Sequence, residues 1–102
     1  MSQPTETLHG YVVDIACIRN YPQDELLERA QVHTRECGLH GHCIESGYGL
    51  VNEEGRLLLL DPKSTWQVLE VIRKSDRTEG IKLRATREMK NGDMETTSVQ
   101  ER

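Results

Sequence analysis

Runs of apolar residues predict three strands in the first part of the chain. Aliphatic and aromatic residues dominate the segment 7–15, which is typical of a strand, and Gly10 marks a bend within it. Two shorter apolar runs, 48–51 and 56–60, flank a turn that ends in Gly55. Since glycine readily adopts the positive φ that tight turns need, we expect these two runs to form a hairpin.

The last third of the chain predicts a second hairpin. Apolar and polar residues alternate over 81–86, and Asn91-Gly92 is a strong signal for a two-residue turn. A turn of that length would place Met89 opposite Met94. Because Val99 falls out of phase with the alternation, we also expect a bulge near the C-terminus.

A helix is predicted in the long segment between the first and second strands. It begins at Asp24, a favourable N-cap residue, and ends near Cys37 or Gly38. The glycine-punctuated segment 38–47 that follows is expected to be a loop. At helical spacing, one face of this helix carries Leu26, Ala30, His33 and Cys37.

A second helix is predicted over 64–75, where Ser64 and Gln67 form a capping-box pattern. The resulting order is strand, helix-bearing insertion, strand, strand, helix, strand, strand, which is the order of an OB-type barrel. We therefore predict a mainly β protein with two helices (α+β). The expected architecture is a five-stranded OB-like barrel over 7–102, a single domain preceded by a disordered lead, 1–6, with the Cys/His insertion after the first strand.

Charge and composition make several partners poor candidates. The chain has 102 residues and a net charge of −4, and its Lys and Arg residues are not clustered. Binding to nucleic acid needs a clustered basic surface, so we expect neither nucleic acid nor membrane as a partner. The polar N-terminus lacks the layout of a signal peptide, so we expect a cytoplasmic protein. A protein partner or a homo-oligomer is left open.

The cysteine and histidine pattern predicts a metal site. The chain has three cysteines, an odd number, and thiols in the cytoplasm stay reduced, so a disulfide framework is not expected. His33 and Cys37 are spaced as neighbours on a helix face, with Cys17 before them and Cys43 after them. Three thiolates and one imidazole suit tetrahedral Zn²⁺, while Cu(I) and an iron–sulfur cluster are alternatives.

Other readings of these residues stay open at the sequence level. The cysteines could be small buried apolar residues, or Cys37 and Cys43 could form a disulfide under oxidising conditions. His40 or His42 could replace His33 as a ligand. Asp14 could orient a histidine ligand or cap a turn, and the guanidinium groups of Arg19 and Arg35 could balance the charge of the thiolates. His9, within the first strand, is interpreted as structural.

The segment from Gly10 to Leu60 resembles a family of small, poorly characterised bacterial OB-like barrel domains. The residues that carry the resemblance are Val12-Val13-Asp14-Ile15-Ala16-Cys17, His33, Cys37, Cys43 and the stretch 47–60. They are similar to a VVDxxC…H…C…C…GL…dGk signature. The resemblance implies an OB-like barrel in which the three cysteines and His33 are the signature polar residues, and it implies no particular reaction.

The sequence thus predicts a small metal-binding domain whose ligands are Cys17, His33, Cys37 and Cys43. The ion would be a structural zinc, or a metal that the protein carries or senses. The alternative is a redox or electron-transfer protein, or an enzyme, that uses an iron–sulfur cluster, copper or a reactive thiolate at the same residues. No catalytic residue and no organic cofactor are assigned.

Overall fold

A computed structural model describes residues 5–102, apart from the side chain of His42. The strands in this part of the chain are β1 (Thr5–Asp14), β2 (Tyr48–Val51), β3 (Leu57–Leu59), β4 (Lys82–Lys90) and β5 (Asp93–Glu101). The helices are α1 (Ile15–Ile18), α2 (Leu26–Gln31), α3 (Arg35–Gly38), α4 (Gly41–Ser46) and α5 (Thr65–Lys74), with 3₁₀ turns at Gln23–Glu25 and Pro62–Ser64. None of the helices within 5–102 has the length and apolar character needed to cross a bilayer.

The strands form one antiparallel sheet in the order β3-β2-β1-β4-β5. The predicted mainly β, mixed α+β class is confirmed. The sheet is not closed into a barrel, since among the described residues β3 and β5 lie at its two edges without pairing to each other. β1 begins at Thr5, earlier than predicted, and the rest of the expected lead, 1–4, lies outside the described residues.

The predicted C-terminal hairpin is confirmed. Asn91 and Gly92 have φ values of 51° and 87°, as a two-residue turn requires, and Met89 lies opposite Met94. The register shifts between Thr86 and Arg87, so β5 contains the expected bulge. At the other turn Gly55 has a φ of 81°, as the hairpin of β2 and β3 predicts.

Helices cover both faces of the sheet because neighbouring residues of β1 point in opposite directions. Val12 belongs to a core cluster that includes Val68 and Ile72 of α5, whereas Val13 belongs to a second cluster with α1 and α2. The helix predicted over 64–75 is present as α5, and its apolar face, Val68, Leu69 and Ile72, is buried. The capping box is wrong, because Ser64 donates from Oγ to the Asp61 carbonyl instead of capping the helix.

The insertion between β1 and β2 differs most from prediction. In place of one helix from Asp24 to Cys37, the chain forms a 3₁₀ turn, α2 and α3, with a break at 32–34. Asp24 lies inside the 3₁₀ turn and does not begin an α-helix. The predicted loop 38–47 is also wrong over most of its length, because α4 occupies it.

Tertiary hydrogen bonds explain the break between α2 and α3. The Gly80 amide donates to the His33 carbonyl (3.1 Å), and the Arg35 amide donates to the Thr78 carbonyl (2.8 Å). These bonds pull the chain out of helical geometry. Thr34 then begins α3 as its N-cap, accepting a hydrogen bond from the Cys37 amide (3.1 Å).

Candidate metal centre

The centre is built around Asp14, the last residue of β1. Its carboxylate is fully buried, with 0% of the side chain exposed. Oδ2 accepts from the Cys17 amide at 2.8 Å and so caps α1, while Oδ1 lies 2.5 Å from Nε2 of His33. Asp14 therefore does both things that its sequence position left open: it caps a turn and contacts a histidine.

Cys17 is placed by the short helix α1. With only four residues, this helix has little stability of its own. It is tied to the end of α4, because the Ile15 amide donates to the Gly47 carbonyl and the Ala16 amide donates to Oγ of Ser46, both at 3.0 Å. The Cys17 thiol is partly exposed.

His33 and Cys37 are brought to Asp14 by the break in the insertion. His33 lies between α2 and α3, whereas Cys37 lies in α3. The prediction that both residues lie on one face of a single helix is therefore wrong. The side chain of His33 is 7% exposed. Sγ of Cys37 lies 3.7 Å from Oδ1 of Asp14, and its thiol is partly exposed.

These side chains form one compact group of metal donors. One donor atom each from Asp14, Cys17, His33 and Cys37 lies within 4.8 Å of all the others. Three of the four predicted ligands are thus together. Asp14 is the fourth member of the group. From the sequence we expected it only to orient a histidine ligand or to cap a turn.

Cys43, the remaining predicted ligand, lies beside the group rather than in it. It is a buried residue of α4, and its thiol is close enough to hydrogen-bond with Asp14 and Cys37. Its role as a ligand stays a prediction.

The other histidines differ in position. His9 and His40 are exposed, and neither belongs to the donor group. The side chain of His42 lies outside the described residues. Among the histidines whose side chains are described, His33 is the one that lies in the donor group with Cys17 and Cys37.

The electrostatics of the group favour a cation. Burial alone would raise the pKa of Asp14, but hydrogen bonds from His33, Cys43 and the Cys17 amide hold that pKa below its usual value. Burial and the Asp14 carboxylate raise the pKa of Cys37 to about 12, and the same two causes raise the pKa of Cys43. Without metal, an ionised Asp14 carboxylate therefore lies beside the protonated thiols of Cys37 and Cys43.

Arginine side chains do not neutralise Asp14. The Arg35 guanidinium donates to the carbonyls of Ile72 and Arg73 at the end of α5, and Arg19 is exposed. Among the described side chains, neither Lys nor Arg lies within ion-pair distance of Asp14, and its basic neighbour is the imidazole of His33.

A pocket of about 200 Å³ opens over the group. Its lining includes Cys17, His33 and Cys37, together with Tyr21 and Arg29. Nothing in the spacing of Tyr21 and Arg29 marks them as site residues, because the turn between α1 and α2 brings them together. The start of α3 did leave a signal, since Thr34 followed by Glu36 suits a helix N-terminus.

Tyr48 of β2 stabilises the position of α3, the helix that carries Cys37. Its buried hydroxyl donates to the Gly38 carbonyl at the end of α3, at 2.5 Å. Burial, together with the nearby Asp14 charge, raises the pKa of Tyr48 to about 12. The hydroxyl thus stays protonated and fixes α3 against β2.

The donor group offers carboxylate oxygen, thiol sulfur and imidazole nitrogen at one point, a combination that transition metals bind and that Mg²⁺ and Ca²⁺ do not prefer. The group could therefore hold a metal ion, and one side of it is accessible from a pocket. No family model, curated protein or solved structure matches this chain.

Proposed function

We propose that this protein binds one transition-metal ion, zinc in preference to others, at the centre formed by Asp14, Cys17, His33 and Cys37. The observation that carries the proposal is the meeting of four donor atoms within 4.8 Å around a fully buried carboxylate. Zn²⁺ accepts sulfur, nitrogen and oxygen donors in tetrahedral geometry without preferring one set strongly. The donors come from three segments of chain, so an ion would join them.

The cost of burying Asp14 supports the proposal. A carboxylate that leaves water without a cationic partner is strongly destabilising. Asp14 has its hydrogen bonds but, among the described residues, no Lys or Arg partner. A divalent ion at this point would supply the missing positive charge and would also favour the thiolate forms of the cysteines.

A structural or cargo role for the ion agrees with the local structure. The helices α1 and α3 have four residues each, too few to be stable alone. An ion that bridges them would contribute directly to folding. The partial exposure of Cys17 and Cys37 also suits an ion that is carried or sensed.

The redox alternative has weaker support. A reactive cysteine needs a lowered pKa, whereas burial and Asp14 raise the pKa of Cys37 to about 12. Cu(I) would suit the two sulfurs of the donor group, and an iron–sulfur cluster would require Cys43 as a further ligand.

We also propose that the sheet is an OB-like barrel that is open along one seam. The strand order would become that of a closed five-stranded barrel if β3 paired with β5. The resemblance of the segment Gly10 to Leu60 to small bacterial OB-like domains supports this assignment.

The metal content of anaerobically purified protein tests the proposal. We expect one equivalent of zinc, and a tetrahedral Co²⁺ spectrum after exchange. Cys37→Ser, Cys17→Ser and Asp14→Asn should each weaken Co²⁺ binding at least tenfold, whereas His9→Gln, which changes an exposed histidine outside the group, should leave it unchanged. Undiminished binding in Cys37→Ser would reject the site.

The variant Cys43→Ser tests whether Cys43 is also a ligand. If Cys17 and Cys37 are the sulfur ligands, the intensity of the sulfur-to-cobalt band should be the same in this variant. If Cys43 joins them when the ion binds, the band should lose about a third of its intensity.

A further inference from the structure

We propose that the bound ion has three protein ligands, Cys17, His33 and Cys37, and takes a small organic anion from the adjacent pocket as its fourth ligand. This inference rests on the proposed metal site and adds the class of molecule that the site accepts. Within that centre it makes Asp14 a positioning residue, which holds His33 through the contact of Oδ1 with Nε2.

The contact between Asp14 and His33 supports three protein ligands. Oδ1 of Asp14 lies 2.5 Å from Nε2 of His33, a distance at which the carboxylate already has a partner. Carboxylates that hold a ring nitrogen of a ligating histidine are a common feature of metal sites, since they fix the ring orientation and strengthen its other nitrogen as a donor. His33 would then offer Nδ1 to the ion.

The position of the pocket supports an exchangeable fourth ligand. Cys17, His33 and Cys37 all line it, whereas Asp14 is fully buried behind them. Structural zinc sites are usually enclosed by four protein ligands, while sites that act on other molecules keep three and turn the fourth position to a cavity. A set of two thiolates and one imidazole is of the second kind.

The pocket wall indicates the charge of the ligand. The Arg29 guanidinium stacks on Tyr21, 4.5 Å from the ring centroid, and both residues line the pocket. Its ion pair with Glu25 is long, 3.4 Å, and exposed, so most of its donors are free for a bidentate partner. Two thiolates neutralise a divalent ion, and Arg29 would offset one negative charge, such as that of a carboxylate, on an anion that joins it.

The volume of the pocket and the sulfur ligands of the ion indicate more closely which class of small molecule binds. A volume of about 200 Å³ is below the usual range for drug-sized ligands, so the molecule is small. An ion already held by sulfur accepts another thiolate well. We therefore assign a small thiol that carries a carboxylate: its sulfur joins the ion, its proton passes to solvent, and its carboxylate accepts hydrogen bonds from Arg29.

The experiment uses the full chain loaded with Co²⁺ and two probes, mercaptoacetate and ethanethiol. Mercaptoacetate should shift the visible bands saturably while cobalt stays with the protein on ultrafiltration. Arg29→Gln should weaken mercaptoacetate about fivefold and leave ethanethiol unchanged, because only the first probe has a carboxylate. Arg19→Gln removes the same charge outside the pocket and should change neither affinity.

The two proposals fail in different ways. If the protein shows no Co²⁺ bands before any probe is added, the metal site itself is wrong. If the bands are present but mercaptoacetate leaves them unshifted, or if the shift accompanies loss of cobalt to the filtrate, the fourth ligand comes from the protein and the inference is overturned. An equal response of Arg29→Gln and the parent protein to mercaptoacetate would remove Arg29 from the site.

Discussion

At the scale of single residues, Asp14 shows what a sequence pattern can and cannot settle. Its position before Cys17 suggested either a helix cap or a partner for histidine, and one carboxylate performs both roles through its two oxygens. The residue types at the site were therefore predictable. Which of the two oxygens contacts His33 and which caps α1 was not predictable. That depends on the position of His33, which is held by a segment far along the chain.

The thiols predict how metal affinity depends on pH. Because burial and Asp14 raise the pKa of Cys37 to about 12, this thiol is protonated near neutral pH without metal. Binding must release that proton, so affinity should rise with pH throughout the range below 12. Calorimetry of Zn²⁺ binding in two buffers of different ionisation enthalpy measures the protons released.

A matched variant checks the source of those protons. Cys37→Ser should release about one proton fewer than the parent protein at pH 7. An affinity that is flat with pH, or equal proton release in the variant, would contradict the prediction.

Tyr48 makes a second prediction at this scale. Tyr48→Phe leaves the buried Gly38 carbonyl without its donor and should lower the free energy of unfolding by about 1–3 kcal/mol. The folded pKa is raised from 10 to about 12, so the stability due to the phenol is complete below pH 10 and is lost as pH rises through 12.

Urea unfolding of the metal-free protein between pH 8 and pH 12 measures both effects. The gap in stability between the parent and Tyr48→Phe should be constant up to about pH 10 and should narrow above it. A gap that widens with pH would show that the hydroxyl does not stay protonated in the folded state.

At the scale of elements, the strands follow from local pattern and the insertion does not. Alternation and turn residues such as Asn91-Gly92 determine a hairpin from neighbouring residues alone. The helix predicted through His33 has equally good local spacing, yet it is interrupted by a hydrogen bond from Arg35 to the Thr78 carbonyl and one from Gly80 to the His33 carbonyl. Contacts between distant segments override helix propensity here, and a single sequence does not display them.

A substitution at Gly80 tests whether the contact between distant segments positions the metal centre. Gly80 has a φ of 61°, and a Cβ there would lie 2.7 Å from the Gln31 carbonyl oxygen. Gly80→Ala should therefore cost about 2–4 kcal/mol of stability. It should also weaken Co²⁺ binding, because the Gly80 amide holds the His33 carbonyl.

Gly92→Ala serves as the matched control. Gly92 has a φ of 87° but no atom within 4 Å of an added Cβ, so the variant has a similar backbone strain without the clash. It should lose about 1–2 kcal/mol and bind Co²⁺ like the parent. The metal affinities of the two variants are measured below their unfolding temperatures. Equal affinities would show that Gly80 does not position the metal site.

At the scale of the whole molecule, the ion should stabilise one part of the fold more than the rest. The sheet is held by long pairings such as that of β4 with β5, whereas α1 and α3 depend on the donor group. At a free metal concentration 100 times the dissociation constant, binding adds about 2.7 kcal/mol. For a domain of this size we expect removal of the ion to lower the Tm by about 10–20 °C.

Calorimetry with and without a chelator measures this shift, and hydrogen exchange locates it. Without metal, amides of α1 and α3 should lose protection more than those of β4 and β5. Cys37→Ser provides the control, since a chelator should change its Tm and its exchange less than those of the parent protein. Uniform loss of protection across the sheet would instead indicate that the ion stabilises the entire fold.

The bond from Gly80 to His33 also has a consequence for synthesis of the chain. All the proposed donors are made before Gly80, yet the hydrogen bond that holds the His33 carbonyl comes from that later residue. A nascent polypeptide that ends short of it has every donor atom but no preformed cage. Tight metal capture should therefore begin only after Gly80 emerges, in the same step that joins β4 to the sheet.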